Sequence, residues 1–507
     1  MGTAHALSEL RRAGGSGGMI AAGHPLTAEA GARVLREGGN AVDAAVAAVL
    51  ASWAAEPLLT GPGAGGYMLV AGAGEEPTLL DFFVEAPGRA GDPTRRADLV
   101  PAEVSFGEAV QVFNCGAASC GTYGNPAGLA DALDRWGSCD RAALAAPAAQ
   151  LARDGVALNA AQAYVFHILE PILVTTPESR AIFAPDGRSL REGDVFRSAE
   201  LAETIERFGS DGAAPFYTGD LADAVVAWLD ARGGQLTKRD LEAYEPVARE
   251  PVRATYRGRA VLTNPPPSAG GTLLALAMAR LDERSDGPPS AIDVVSVMEE
   301  AQALRTPEFV AGLAEPGFAD RLLASRLGST THISVLDRDG RACAVTCTNG
   351  EGSGLVVPGT GIHVNNVMGE QDLNPLGFFS FRPGRRMPSM MAPTVVLGPG
   401  GEVELALGSA GSNRIRSAIL QVIVGVVDHG LRAQDAVLAP RVHFEDGLVY
   451  AEPGADVGAL RDTGRQLVAF RDRNLFFGGA QAVERDRVSG TLSGAGDPRR
   501  GGAAVAA

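Results

Sequence analysis

Hydrophobic and polar positions change period several times along the chain, from helical spacing to strand-like runs and back. Residues 25–55, PLTAEAGARVLREGGNAVDAAVAAVLASWAA, keep apolar side chains at helical intervals on both sides of EGGN at 37–40. Because glycine ends helices and asparagine caps them, this segment predicts two helices, the second capped by Asn40. The runs YMLVAGAG (67–74) and PTLLDFFVEAP (77–87) predict strands.

A long helical block and a later strand block follow. Between residues 125 and 282, the segments LADALDRWG, LAETIERFG and LADAVVAWLDARGG each run at helical spacing toward a glycine. From residue 331 onward, HISVLD, RACAVTCT, IHVNN, TVVLG and VELALG predict short strands, before a helix in SNRIRSAILQVIVGVVDHG. Residues 1–18 are interpreted as a leader, and residues 306–329 as a weakly patterned connector. Blocks of helices and strands, rather than strict alternation, predict an α+β fold of stacked layers.

The composition is that of a globular protein: 507 residues, 46% hydrophobic and 21% charged. A formal net charge of −16, without a basic cluster, repels phosphate backbones, so no nucleic-acid partner is expected. The first 18 residues lack the apolar core of a signal peptide, and the longest apolar run, residues 45–55, is too short to cross a bilayer. We therefore expect a cytoplasmic protein without a membrane partner.

The cysteines are few and widely spaced: Cys115, Cys120, Cys139, Cys343 and Cys347. None of them has the CxxC spacing of a redox or zinc motif. Reduced and mostly buried thiols are therefore predicted, and neither a metal site nor a cofactor is expected.

Residues 61–66, GPGAGG, match the GxGxxG spacing of dinucleotide-binding loops. That fingerprint needs a strand before it and a helix after it, whereas here a predicted helix precedes and a predicted strand follows. A tight backbone turn beside a sheet is the favoured interpretation. A nucleotide-dependent oxidoreductase remains an alternative.

The junction STTHIS, residues 329–334, raises a question of nucleophilic chemistry. A threonine hydroxyl is a weak nucleophile unless a base lies within hydrogen-bond reach. If the peptide bond before Thr330 is cut, the new α-amine, with an ordinary pKa of about 7.7–8.0, can accept the proton of the same residue's hydroxyl. Taken alone, Thr330 fits an ordinary strand start better, and His332 fits a packed histidine better than a catalyst.

Five longer segments, which occur in a fixed order, favour the catalytic interpretation of Thr330 over the ordinary strand start. They are GGNAVDAAVA (38–47), TTHISVLDRDGRA (330–342), VVPGTGIHVNN (356–366), RMPSMMAPTVV (386–396) and GSAGSNRIRSAILQV (408–422). Together they resemble the γ-glutamyltranspeptidase family of N-terminal nucleophile (Ntn) hydrolases, and the resemblance covers nearly the whole chain.

The resemblance implies a four-layer αββα sandwich that is made as one precursor and cuts itself. The cut would fall between Ser329 and Thr330. It would give a large subunit, residues 1–329, and a small subunit, residues 330–507. The expected assembly is a heterodimer of these two chains, with a dimer of heterodimers as the larger alternative.

The resemblance also implies site roles. Thr330 would be the nucleophile and, through its amine, the base, while the Thr348 hydroxyl would bond to it. Gly411 and Ser412 occupy the family's Gly-Gly oxyanion position, where backbone N–H groups bind the developing charge. The implied chemistry is an acyl-enzyme resolved by water or an amine, without a cofactor, as in the γ-glutamyl transfer and hydrolysis of glutathione metabolism.

The substrate-binding segments depart from the family. Phe83 in DFFVEAP stands where the family has an arginine that clamps the glutamyl carboxylate. Arg385 and Arg386 are alternative sources of that charge, although Arg386 itself matches a family position. A gain of γ-glutamyl activity in Phe83→Arg would confirm this interpretation of the pocket.

Other positions of the expected substrate site also differ. The family's paired serines become Ser389 and Met390, its aspartate for the α-amino group becomes Glu370, and Asn349 followed by Gly350 replaces the usual end of the TxN segment.

These differences leave three functions open beside γ-glutamyl chemistry. One is a cephalosporin-acylase-like amidase. Another is hydrolysis of a carbon–carbon bond in an antibiotic pathway that builds alkylproline units. The third is a non-catalytic relative that only binds.

Overall fold

The computed structural model describes residues 17–91, 98–105, 110–284, 287–303, 330–371, 373–374 and 377–507. Residues 1–16 of the predicted leader, and the whole predicted connector with Ser329, lie outside these ranges.

The strands of the described residues are β1 (Gly18–Ala22), β2 (Gly65–Gly72), β3 (Glu75–Phe82), β4 (Val100–Ser105), β5 (Val110–Cys115), β6 (Val156–Ala157), β7 (Val195–Phe196), β8 (Val247–Arg249), β9 (Val252–Tyr256), β10 (Arg259–Thr263), β11 (Thr331–Asp337), β12 (Arg341–Thr348), β13 (Val356–Val357), β14 (Ile362–His363), β15 (Thr394–Leu397), β16 (Val403–Ala410), β17 (Val442–Glu445), β18 (Leu448–Ala451), β19 (Gln466–Ala469), β20 (Gly479–Arg485), β21 (Leu492–Gly496) and β22 (Ala503–Ala506).

The α-helices of the same residues are α1 (Pro25–Arg36), α2 (Ala41–Ala55), α3 (Asn125–Trp136), α4 (Arg141–Asp154), α5 (Ala160–Ile168), α6 (Glu170–Leu173), α7 (Pro177–Phe183), α8 (Ala199–Asp211), α9 (Ala214–Tyr217), α10 (Asp220–Asp230), α11 (Lys238–Glu242), α12 (Ala269–Arg284), α13 (Ala291–Ala303), α14 (Arg414–Val427), α15 (Ala433–Leu438) and α16 (Gly458–Arg461).

Two large antiparallel sheets organise the molecule. The first has the strand order β22-β1-β11-β12-β2-β3-β8, and the second has the order β21-β20-β16-β15-β10-β9. Smaller sheets pair β13 with β14, β4 with β5 and β6 with β7, and join β17, β18 and β19. Antiparallel sheets with helices in separate blocks confirm the α+β prediction.

Helices cover one face of each large sheet. Helix α1 packs on β1 and α2 packs on β11 and β12, while α12 packs on β9 and β10 and α14 on β16 and β20. The other faces meet, since β16 and β20 of the second sheet contact β11 of the first.

Alternation along the strands explains why both faces of the first sheet are buried. On β1, Ile20 and Ala22 belong to the core under the helices, whereas Met19 and Ala21 belong to the core between the sheets. Successive side chains of a strand point to opposite faces, so one strand supplies both cores.

Helix α2 is a largely apolar element that begins at the predicted cap. The Asn40 side chain accepts hydrogen bonds from the backbone N–H groups of Val42 and Asp43, and the Asp43 carboxylate accepts the N–H of Asn40. This capping box satisfies helix-end donors that would otherwise be buried without a partner. The Asn40 cap is therefore confirmed.

The GPGAGG segment links α2 to β2, in the order helix, turn, strand. A Cβ on Gly63 would lie 2.6 Å from the carbonyl oxygen of His363, so only glycine permits this approach. The tight-turn interpretation is confirmed, and the strand-then-helix context of a dinucleotide loop is absent here.

A buried ionic cluster holds the C-terminal segment. The Asp497 carboxylate lies 2.7 Å from Arg441 Nη2 and 3.1 Å from Arg499 Nη1, and Arg499 Nε donates to Glu452 at 2.7 Å. Burial acts to raise the pKa of Asp497, but Arg441 and Arg499 outweigh it and the pKa is lowered. This buried charge network fixes the chain just before β22. It therefore also fixes the backbone position of Arg500, the residue that follows Arg499.

All five cysteines are free thiols, four of them buried. No helix among the described residues is long and apolar enough to cross a membrane. The part of the chain described here also contains no group of three or more His, Cys, Asp or Glu that could hold a metal ion.

Candidate active site

The register of β11 and β12 determines where Thr330 lies. Thr331 is paired with Cys347 and His332 with Thr346 in this antiparallel ladder. Continuing the register by one residue places Thr330 opposite Thr348, with Cα atoms about 4.5–5.5 Å apart. Both threonines are buried, at 2% and 5% exposure. The structure therefore brings together two residues that are 18 positions apart in sequence.

The Thr331 side chain points to the face of the first sheet that the helices cover. Its hydroxyl donates to Glu56 Oε2 at 2.7 Å, and the Thr27 hydroxyl donates to Glu56 Oε1 at 2.9 Å. Burial raises the pKa of Glu56, and the two hydroxyl donors only partly offset that rise. Glu56 follows the last residue of α2, so the helix end anchors the strand that begins beside Thr330.

His332 is a packed histidine, as its sequence context predicts. Ser334 Oγ donates to the carbonyl of Gln481 at 3.2 Å, so it accepts a hydrogen bond from His332 Nε2 at 2.8 Å. The other ring nitrogen, Nδ1, lies 2.7 Å from the Thr346 hydroxyl and accepts from it. Burial lowers the pKa of His332 to about 3, so the ring is neutral at ordinary pH.

The His332 ring of the first sheet also contacts the second sheet. A Cβ on Gly408 of β16 would lie 2.3 Å from the His332 ring, so glycine is needed for this contact. Side chains two residues apart on a strand share a face, so Thr330 and Thr348 also face the space between the sheets.

Thr348 leads into a tight turn beside an acidic residue. The Gly350 backbone N–H donates to the Thr348 hydroxyl at 2.9 Å. Gly350 has φ of 64°, and a Cβ there would lie 2.5 Å from Glu370 Oε1. Glu370, expected to bind an α-amino group, is 3% exposed and lies next to the turn that follows Thr348.

Gly411 and Ser412 form the turn between β16 and α14. Both have positive φ, 115° for Gly411 and 65° for Ser412. Such values are ordinary for glycine but cost a residue with a Cβ roughly 1–2 kcal/mol. The Ser412 hydroxyl is buried and has no hydrogen-bond partner among the described residues. The turn thus has a backbone conformation typical of glycine, although residue 412 is a serine.

The other expected substrate residues occupy buried loops. Asn349 donates from Nδ2 to the carbonyl of His363 at 3.1 Å, while its Oδ1 is buried and unpaired within the described structure. Ser389 accepts the backbone N–H of Met391 at 3.1 Å, and Met390 is 5% exposed. Asn349 adjoins the Thr348 turn, whereas Ser389 lies in the loop beside Ser268 and the start of α12.

Phe83 lies just beyond β3 with its ring in the core between the sheets. The ring is fully buried and stacks on Tyr67 with centroids 5.4 Å apart. An arginine at this position would need either a buried, unpaired guanidinium or a reoriented side chain. The buried, stacked ring therefore argues against a gain of γ-glutamyl activity in Phe83→Arg.

Arg386 does not replace the missing guanidinium. Its Nη1 donates to the Phe83 carbonyl at 2.7 Å and its Nη2 to the Glu245 carbonyl at 2.7 Å. Its Nε also lies 3.3 Å from Asp81 Oδ1, and the group sits over the Tyr244 ring. This arginine is committed to holding the loop after β3.

Sequence reasoning missed Glu56 and Arg500, which line the same cavity on the helix-covered side of the first sheet. Glu56 could have been noticed as a lone carboxylate ending an apolar helix, and Arg500 as one of two adjacent arginines in GDPRRGG. Nothing in the sequence indicates that they meet, because 443 residues lie between them.

Arg500 also connects the second sheet to the junction. Its Nη2 lies 3.1 Å from the position of a Cβ on Gly411, and it lines the same cavity as Glu56. Since Glu56 binds Thr331, the turn at Gly411 and the start of β11 lie at the same end of the two sheets.

Comparison with known proteins agrees with this geometry. The sequence model described as Gamma-glutamyltranspeptidase matches residues 27–321 and 316–507. The glutathione hydrolase proenzyme of Escherichia coli (strain K12) is 32% identical, over 95% of this chain and 90% of its own. The Acylase ACY 1 proenzyme of Pseudomonas sp. (strain SE83) is 31% identical, over 98% and 95% respectively. The crystal structure of cephalosporin acylase from Bacillus halodurans has a TM-score of 0.82 at 28% identity, covering 98% of this chain and 97% of that one.

These relatives, which are hydrolases and acylases, place the chain among enzymes of the hydrolase or transferase class. The chain belongs to the gamma-glutamyltranspeptidase family.

Replacing Ser412 by glycine tests the strain in the turn. Ser412→Gly is expected to raise the free energy of unfolding by about 1 kcal/mol, because glycine tolerates the positive φ. Urea unfolding of the wild type and the variant measures the change. The matched exchange Ser210→Gly, in helix α8, is expected to lower it, since glycine weakens helices. A loss of stability in Ser412→Gly would show that the serine side chain makes a stabilising contact that the structure lacks.

Proposed function

We propose that this chain is a self-processing Ntn hydrolase or acyltransferase whose nucleophile is Thr330. The observation that carries the proposal is the β11–β12 register, which begins with Thr331 paired to Cys347 and, continued by one residue, brings the buried Thr330 and Thr348 together at the end of two packed sheets. The relatives named as proenzymes support processing of a single precursor.

Processing would create the catalytic base as well as the nucleophile. Cleavage between Ser329 and Thr330 frees an α-amine whose ordinary pKa, about 7.7–8.0, suits general-base work near neutral pH. The amine takes the hydroxyl proton while Oγ attacks the substrate carbonyl. The Thr348 hydroxyl, across the strand pair, would orient Oγ for that attack.

The turn at Gly411 and Ser412 would supply the oxyanion site. In its positive-φ conformation, the turn would present its backbone N–H groups to the substrate. The tetrahedral oxyanion would accept hydrogen bonds from these groups. Removing one such donor typically costs about 3–4 kcal/mol of barrier, so the turn's conformation matters more than its side chain. On collapse the C–N bond breaks, the α-ammonium of Thr330 gives its proton to the leaving amine, and an acyl-enzyme forms, which water or an acceptor amine then resolves.

We also propose a two-subunit organisation, residues 1–329 and 330–507, in a four-layer αββα arrangement. The contacts of α2 with the first sheet, of the sheets with each other, and of α14 with the second sheet support the layer order. Because β1 pairs with both β11 and β22, the two subunits would share one sheet and stay associated after the cut. Five free thiols are in keeping with a reducing compartment such as the cytoplasm.

The substrate is proposed to be a small molecule with an amide-linked acyl group. γ-Glutamyl amides are supported by the glutathione hydrolase relatives and by Glu370 beside the Thr348 turn. A cephalosporin-acylase-like amidase is favoured by a different observation, the core position of Phe83 where a carboxylate clamp was expected. Residues Asn349, Ser389 and Met390 remain proposed contacts of either acyl group.

Self-processing is tested by the fate of the purified chain. The wild type is expected to give two bands on a denaturing gel, split before Thr330, whereas Thr330→Ala is expected to stay as one band. Thr330→Ser keeps a hydroxyl and should still be cut. An intact wild-type chain that hydrolyses its substrate would contradict the proposal, and a cell that loses nothing with Thr330→Ala would favour a non-catalytic binding role.

The position of Phe83 is tested with γ-glutamyl-p-nitroanilide. Phe83→Arg is expected not to raise kcat/KM, and to lower the free energy of unfolding by about 3–5 kcal/mol, because it buries an unpaired charge in an apolar core. Phe83→Leu, which keeps an apolar side chain, should cost far less stability. A Phe83→Arg variant that is as stable as the wild type and at least tenfold more active would contradict this account of the site.

A further inference from the structure

Ser412 combines two costs that a glycine at the same position would avoid. Its φ of 65° is unfavourable for a residue with a Cβ, and its hydroxyl is buried without a hydrogen-bond partner among the described residues. The side chain is only 2% exposed, so bulk solvent does not serve it either. Backbone strain and an unmet donor at one residue are typical of a functional position, where contact with a ligand offsets the cost.

The positive φ of Ser412 is not that of a hairpin turn. Five residues other than glycine have such a φ in the described part of the chain: Ala73, Arg257, Phe379, Ser412 and Asp446. Ala73, Arg257 and Asp446 each precede a glycine in a two-residue turn between paired antiparallel strands, where positive φ is the rule. Phe379 lies in a half-buried loop. Ser412, by contrast, is buried and joins a strand to a helix.

The direction of β16 is fixed by its contacts with the first sheet. A Cβ on Gly72, at the end of β2, would lie 2.8 Å from Val403 Cγ2, at the start of β16. Further along β16, Gly408 meets the His332 ring. Because Gly72 lies opposite the start of β12, the strand β16 runs toward the other end of β12, at Thr348.

The turn that contains Ser412 therefore lies at the end of the sheets where β11 begins. From the His332 contact, β16 continues two residues to its end at Ala410, whereas β11 extends back two residues to Thr330. Strands of two packed sheets stay within about 30° of each other, so both segments reach the same end. Ser412 follows Ala410 by two residues.

Backbone geometry directs the Ser412 N–H away from helix α14. The Gly411 carbonyl accepts the N–H of Arg414 at 3.2 Å, and the Ser412 carbonyl accepts the N–H of Ile415 at 2.9 Å. In a trans peptide the N–H points opposite to the C=O, so the Ser412 N–H points back from the start of the helix. An anion there lies at the positive end of the helix dipole. A serine hydroxyl rotates to suit its acceptor and can share that anion with its own N–H.

We propose that the Ser412 hydroxyl is a catalytic donor, which gives the oxyanion a further hydrogen bond beside those of the backbone N–H groups. The inference rests on the proposed acyl chemistry at Thr330. Attack by Thr330 Oγ moves the π-electron pair of the substrate carbonyl onto its oxygen, and Ser412 Oγ–H donates to that oxygen without transferring its proton. The electron pair returns to carbon when the leaving group departs. Because the hydrogen bond is strongest to the charged oxygen, it lowers the barrier more than it strengthens substrate binding.

Two substitutions separate the hydroxyl from the backbone strain. Ser412→Ala keeps the Cβ and removes the hydroxyl, whereas Ser412→Gly removes both and is expected to be the more stable in urea. Both variants are expected to be cut before Thr330 and to have a kcat about 10- to 100-fold below wild type with little change in KM, the usual factor for a hydrogen bond to a charged group. The assay uses whichever of the γ-glutamyl, glutaryl and butyryl p-nitroanilides the wild type turns over fastest. Ser210→Ala, on an exposed part of α8, should keep the wild-type rate.

Butylboronic acid gives a second measurement that needs no turnover. Its boron takes Thr330 Oγ as a fourth ligand and becomes negatively charged, so one of its oxygens stands in for the oxyanion. Calorimetric titration is expected to show a Kd that Ser412→Ala raises by about the same factor as it lowers kcat.

A wild-type kcat and boronate affinity in Ser412→Ala would overturn the proposal, as would a loss confined to KM. A slow Ser412→Gly beside a normal Ser412→Ala would also overturn it, because the effect would then come from the backbone. If the wild type is neither cut nor binds the boronate, the proposed function fails and this inference fails with it. A cut and active wild type beside unimpaired variants removes the role of the hydroxyl alone.

Discussion

The pairing of β11 with β12 is the constraint on which the rest of the site depends. Antiparallel register is discrete, and a slip of one residue turns every side chain to the other face. In the observed register, Thr331 points to Glu56 under the helices, whereas His332 points to Gly408 between the sheets. These two buried contacts lie on opposite faces of the sheet, so a slip of one residue would break both of them. They therefore fix the register. The position of Thr330 opposite Thr348 follows from them.

Some polar groups around this strand pair have hydrogen-bond partners, whereas others have none among the described residues. His332 is fully hydrogen-bonded and neutral, and Arg386 is committed to the loop after β3. The buried Ser412 hydroxyl, by contrast, has no hydrogen-bond partner among the described residues. The first group stabilises the fold, while the unpartnered Ser412 hydroxyl costs stability at the turn where an oxyanion would bind. Unmet hydrogen-bonding capacity therefore coincides with the proposed chemistry.

Much of the local structure could be predicted from the sequence, because it depends on local signals. HISVLD and RACAVTCT form β11 and β12, and the Asn40 cap begins α2. IHVNN was predicted as a whole strand but forms only the two-residue β14, since Asn365 and Asn366 use their side chains to bond surrounding loops.

The candidate site could be predicted only in part. The threonine pair follows from the family resemblance, but the cavity requires knowing that the C-terminal segment folds back to α2. The burial of Phe83 was also beyond reach, because a residue after a strand can face either the core or a pocket, and packing with Tyr67 decides between them.

The central claim, that Thr330 acts as an N-terminal nucleophile, is tested most directly by peptide mapping of an acylated enzyme. The protein is mixed with an acyl donor, quenched during turnover and digested for mass spectrometry. The account predicts an acyl group on the threonine at the start of a peptide whose first residue is Thr330. An acyl group on any other residue, or turnover by a chain in which Ser329 and Thr330 are still joined, would contradict it.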